Sequence, residues 1–78
     1  METKILKRSI TVNGRKTSVS LEDEFWDALN EIAARRRQSV GELVSLFVRQ
    51  NRPANLSSAI RIFVVEHFRS GENRRVDA

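Results

Sequence analysis

Arg15-Lys16-Thr17-Ser18-Val19-Ser20-Leu21 is the stretch whose reading decides the fold. Thr17, Val19 and Leu21 alternate with Lys16, Ser18 and Ser20. A period of two sends the sets to opposite faces of an extended segment, so the stretch reads as a half-buried β-strand. Glu22-Asp23-Glu24 follows directly. Carboxylates suit the positive end of a helix dipole, so a helix opens where the strand closes. One short strand is not stable by itself and must pair with something.

A partner lies just upstream. Arg8-Ser9-Ile10-Thr11-Val12 also alternates, and Asn13-Gly14 separates the two runs. Asn-Gly is the strongest short hairpin signal, because a type I′ turn needs positive φ at both central residues. With these two as the turn, Val12 pairs with Arg15, Ile10 with Thr17 and Arg8 with Val19. Ile10, Val12, Thr17 and Val19 then share one face. Lys7, Ser9, Thr11, Lys16, Ser18 and Ser20 share the other. The strands agree on which face is polar, which fixes the register.

Downstream, Phe25, Leu29, Ile32 and Ala33 recur at helical spacing, predicting a first helix from about Glu22 to Arg36 with Trp26 flanking its apolar stripe. Trp26 reads as core or interface packing rather than as a stacking platform for a ligand. Ser39 and Glu42 stand at capping-box spacing, so a second helix starts at Ser39 or Val40. It carries Val40, Leu43, Val44, Phe47 and Val48, with Leu46 on another side. Pro53 breaks the pattern, and Asn55 or Ser57 caps a third helix to about Arg69, ended by Gly71. Its stripe is Leu56, Ala59, Ile60, Phe63, Val64, His67 and Phe68. The expected organisation is a flexible arm over residues 1–6, one domain over 7–70 and a frayed tail over 71–78. The fold class is mainly α with a short β-ribbon: an N-terminal hairpin and three helices per chain.

The 78 residues are 40% hydrophobic, too apolar for a disordered chain and too few for a large core. A second copy of the chain is the simplest source of further stability, so a homodimer is expected. The net charge of +4 is unevenly placed. Residues 1–20 carry five basic side chains against one acidic; residues 21–34 carry five acidic and none basic; the remainder is basic again. Positive potential is therefore local, and acidic partners are plausible. No apolar run is long enough to span a bilayer and no signal-peptide core is visible, so a cytoplasmic protein without membrane partners is expected.

Little reactive chemistry is present. With no cysteine, no tyrosine and one histidine, no residue set supports an enzyme, a metal site or a cofactor. His67 sits on an apolar stripe and reads as structural. The carboxylates at 22, 23, 24, 27 and 31 crowd a helix start without histidine partners, which fits dipole matching better than metal binding. Arg35-Arg36-Arg37 serves either the C-terminal end of the helix dipole or phosphate contact.

Strand, acidic helix, tight turn and serine-capped helix over Lys16-Thr17-Ser18-Val19-Ser20-Leu21 through Val48 resemble the ribbon-helix-helix (Arc/MetJ-like) DNA-binding domains. The added Lys7–Val12 run, Phe25-Trp26 and Asn55-Leu56-Ser57-Ser58-Ala59-Ile60-Arg61 are similar to a small bacterial subgroup of them. The resemblance implies a homodimeric transcriptional regulator in which two chains pair their strands antiparallel into a β-ribbon, with helices of both chains interlocked beneath it, and this ribbon enters the major groove of double-stranded DNA. It implies base contacts from Lys16, Ser18 and Ser20. Phosphate contacts are expected from Lys7, Arg15 and the start of the second helix at Ser39, Val40 and Gly41. A dimer core of Val19, Leu21, Phe25, Trp26, Leu29, Val44 and Phe47 is expected. The alternative is a dimeric protein-protein interaction module that keeps the fold without binding DNA, with a protein partner on the third helix.

Overall fold

The computed structural model describes residues 4–77, and the side chains of residues 4–70. Met1–Thr3, half of the expected arm, lie outside the described residues. Strand β1 spans Ile5–Val12 and β2 spans Arg15–Glu22, followed by α1 (Asp23–Arg35), α2 (Val40–Asn51) and α3 (Leu56–Asp77). The strands form an antiparallel pair with Val12 opposite Arg15, Ile10 opposite Thr17 and Arg8 opposite Val19. Asn13 and Gly14 take φ of 52° and 81°, the two positive values a type I′ turn requires. β2 thus finds its partner inside its own chain. The strand starts at Ile5 rather than Lys7, because Ile5 and Leu6 continue the ladder opposite Glu22 and Leu21.

The apolar face of the hairpin lies on the helices. Ile10, Val12, Val19 and Leu21 are buried there with Leu29, Ile32 and Ala33 of α1, Leu43 and Val44 of α2, and Ile60 and Val64 of α3. Leu21 and Ile32 are both fully inaccessible. Each helix thus presents a stripe to one shared core, with the hairpin as its lid.

The helix ends follow local chemistry. Ser39 caps α2: its Oγ accepts from the Glu42 N–H at 3.0 Å, while Glu42 Oε1 accepts from the Ser39 N–H at 2.8 Å. Asn55 caps α3, accepting from the Ser58 N–H at 3.1 Å. α1 closes without glycine. Arg37 sits at φ 57°, its N–H donating to the Ala34 carbonyl at 3.1 Å and that of Gln38 to the Ala33 carbonyl at 2.9 Å. This is the Schellman arrangement, with an arginine where glycine is usual. Arg52, at φ 44°, closes α2 in the same left-handed region.

Two differences from the sequence pattern concern α3. The helix runs through Gly71 to Asp77 instead of ending there. A helical glycine costs about 1 kcal/mol relative to alanine but keeps its N–H and carbonyl in the ladder, unlike proline. Phe68, expected on the buried stripe, is exposed, with His67 half-buried and its ring edge-on at 5.1 Å. α3 outruns the core at this point, so the stripe has nothing to lie against.

Candidate nucleic-acid interface

The face of the hairpin away from the core is polar and open. Lys7, Ser9 and Thr11 on β1 and Lys16 and Ser18 on β2 are all exposed. The register sets Thr11 opposite Lys16, Ser9 opposite Ser18 and Lys7 opposite Ser20. Among the described residues, Lys7, Arg15 and Lys16 enter none of the ion pairs. No acidic side chain lies on this face between the turn and the Lys7–Ser20 pair. The result is a strip of small hydroxyl side chains between two free lysines. Hydroxyls donate and accept, and an ammonium suits a guanine edge or a phosphate.

The expected site residues divide on inspection. Lys16, Ser18 and Lys7 share the open face, but Ser20 is half-buried at its far end. Its N–H donates to Ser57 Oγ at 2.9 Å and its carbonyl accepts from Arg61 Nη2 at 3.0 Å. Arg15 is exposed beside the turn, on the opposite face of the strand from Lys16. Ser39, Val40 and Gly41 lie at the start of α2, near the turn end of β1. The capping box commits both the Ser39 hydroxyl and its N–H, leaving the Val40 and Gly41 N–H groups to meet an anion. Gly41 also packs so closely on β1 that a Cβ there would collide with the Thr11 carbonyl oxygen.

Of the residues expected in a dimer core, Val19, Leu21, Leu29 and Val44 are buried within the single chain, so their burial needs no second copy. Phe25 and Trp26 are half-buried and packed against that core, and Phe47 is half-buried. Phe47 stands against Phe63 with ring centroids 5.4 Å apart.

Two arginines that the sequence pattern left without a role hold the hairpin down. Arg8 lies on the core face, donating to the Leu21 carbonyl and to Asp23, with its guanidinium 5.3 Å from the Trp26 ring. Its odd-one-out place in the Arg8-Ile10-Val12 alternation was the available signal. Arg61 donates through Nε to Glu22 at 2.8 Å as well as to the Ser20 carbonyl, joining α3 to the end of β2. This contact holds the Glu22 carboxyl below the usual glutamate range, chiefly through the Arg61 hydrogen bond, helped by a backbone hydrogen bond and the nearby positive charge. Among the described residues no group of three His, Cys, Asp or Glu side chains could hold a metal ion. None of their helices is long and apolar enough to cross a membrane.

The chain thus combines a two-stranded antiparallel hairpin, polar and exposed on one face, with three helices packed on the other. Residues 5–68 match the family described as "Ribbon-helix-helix domain", and the chain belongs to that family. Ribbon-helix-helix domains generally bind DNA as transcription regulators, on a fold that is not enzymatic. Among solved structures, an uncharacterized protein from Bordetella pertussis Tohama I is similar at 34% identity and a TM-score of 0.74. The match covers 91% of this chain and 62% of that one, so this chain spans under two thirds of that protein's length. No curated protein matches the chain.

Proposed function

We propose that the protein binds double-stranded DNA sequence-specifically as a homodimeric transcriptional regulator, with the polar face of the hairpin directed into the major groove. The observation that carries this reading is the open face of Lys7, Ser9, Thr11, Lys16 and Ser18, free of carboxylates. Lys16 is the main base reader and Ser18 supports it. Ser20, with its backbone engaged by α3, contributes at the margin. Lys7, Arg15 and the Val40 and Gly41 N–H groups meet phosphates, which set register without reading sequence. Dimerisation is supported by apolar side chains left exposed on the helices, Ile62 at 59%, Val65 at 44% and Leu46 at 40%. Sedimentation at micromolar concentration is expected to give about twice the 9.0 kDa chain mass.

The test is duplex binding by fluorescence anisotropy at two salt concentrations, on several mixed sequences, for wild type and Lys16→Ala. Wild-type affinity is expected to fall steeply with salt as counterions are released. Lys16→Ala is expected to lose ~1–3 kcal/mol on preferred sequences and to relax preference at one base pair. Binding that ignores salt, or a variant that matches wild type on every sequence, overturns the reading. The exposed Ile62 and Val65 would then favour the second reading, a module that meets a protein partner through α3.

A further inference from the structure

We propose that Ser57 is an autoinhibitory guard on the outer edge of β2, and that dimerisation hands the Ser20 N–H from Ser57 to the β2 strand of a second copy. The inference rests on the homodimer reading above and adds to it the contact that dimerisation must break. A two-residue turn makes Val12–Arg15 a hydrogen-bonded pair, and the bonded pairs then alternate along the ladder. The N–H and carbonyl groups of Lys16, Ser18 and Ser20 therefore point away from β1, along the outer edge of β2. Among the described residues, only Ser20 of these three has its edge groups taken. Its N–H donates to Ser57 Oγ at 2.9 Å and its carbonyl accepts from Arg61 Nη2 at 3.0 Å.

An open strand edge is a template for another strand. Two copies of one edge pair antiparallel about a two-fold axis, each supplying the donors and acceptors that the other needs. A dyad at Ser18 gives three bonded pairs, Ser18 against its own copy and Lys16 against Ser20 on either side. Registers that leave Ser20 out keep at most two bonded pairs within the strands. They also bring the two Lys16 side chains together, directly or diagonally, where like charges repel. The favoured pairing therefore needs the Ser20 edge.

The conflict falls on one hydrogen. A carbonyl oxygen has two lone pairs, so that of Ser20 can keep Arg61 and also accept from the second copy. The Ser20 N–H has one hydrogen and serves either Ser57 or the partner strand. Ser57 lies in the first turn of α3, and residues 52–55 before it belong to neither helix. That turn can swing aside while Arg61 stays on Glu22, to which its Nε donates at 2.8 Å. The single chain thus closes its own edge, and a second copy opens it.

The test is sedimentation over a range of concentrations, without DNA, for full-length wild type, Ser57→Ala and Ser57→Thr. NOEs between labelled and unlabelled chains are read alongside. Ser57→Ala removes the competitor, so its dimer dissociation constant is expected to fall about fivefold, as one hydrogen bond allows. Ser57→Thr keeps the hydroxyl and is expected to match wild type. Interchain NOEs are expected between the Hα atoms of Thr17 and Val19, which approach closely in unbonded pairs. In wild type the Ser20 amide resonance is expected to move with concentration, as its acceptor changes from a hydroxyl to a carbonyl. A dimer equally tight or weaker in Ser57→Ala overturns the guard, and so does a dimer without Thr17–Val19 contacts. A Ser20 resonance that stays fixed while wild type dimerises overturns it too, even where the alanine variant fails to fold. A chain that is monomeric at every concentration overturns the homodimer reading together with this inference.

Discussion

Arg61 and Ser57 are the side chains through which α3 holds the end of β2, and Arg61→Ala tests the charged half of that contact directly. The guanidinium donates to the Ser20 carbonyl at 3.0 Å and to Glu22 Oε1 at 2.8 Å, and lies 6.0 Å from the Phe25 ring. Truncation leaves the Ser20 carbonyl, part-buried beneath α3, without its charged donor. A hydrogen bond to a charged group contributes about 1.5–3 kcal/mol, and partial access of water to the site reduces this, so a loss of about 2 kcal/mol is expected. In a domain this small that lowers the melting temperature by on the order of 10 °C. The assay is urea unfolding at fixed chain concentration, read by the fluorescence of Trp26, the one tryptophan in the sequence. The Glu22 part of the contact is read by pH. A carboxyl held below its ordinary range stabilises the fold above that range, and the stability is lost as pH falls through the lowered value. Wild type is therefore expected to lose stability on the acid side of the ordinary glutamate range, and Arg61→Ala to lose less of it there. A variant within about 0.5 kcal/mol of wild type, with the same acid profile, would refute the role given to Arg61.

Further outcomes follow from the same packing. Gly41→Ala is expected to destabilise by about 1–3 kcal/mol in the same unfolding assay, because its Cβ meets the Thr11 carbonyl; a neutral result would show that α2 does not abut β1. Arg37→Gly is expected to stabilise by about 0.5–1 kcal/mol, since glycine adopts φ 57° without strain; destabilisation would mean that the arginine side chain makes contacts worth more than the strain. Ser39→Ala is expected to lose about 1 kcal/mol with the capping box, and an unchanged midpoint would count against that cap.

The parts of the fold that the sequence made legible are those in which one local rule suffices. Asn13-Gly14 demanded one turn type, and that turn set every pair from Val12–Arg15 to Lys7–Ser20. Ser39 and Glu42 placed the start of α2 at Ser39 or Val40, and the helix begins at Val40 with Ser39 as its cap. Illegible features depended on what an element meets at a distance. Gly71 carries a local stop signal that the helix overrides. Phe68 has core spacing but no core opposite it. Arg37 and Arg52 close helices in a conformation that residue preference assigns to glycine or asparagine.

For the candidate interface, alternation alone found the open face, because a strand's period sends Lys16 and Ser18 out wherever Val19 and Leu21 go in. Alternation could not say that Ser20, in phase with them, meets α3. That follows from a contact across 37 residues to Ser57, and no local pattern contains it. Serine at 57 looked like one of two possible caps for α3, yet Asn55 takes the capping role and frees the Ser57 hydroxyl for the strand edge. Two neighbouring residues that compete for one local role in the sequence thus divide two roles in the fold. The second role, holding the edge of β2, ties the third helix to the end of the hairpin.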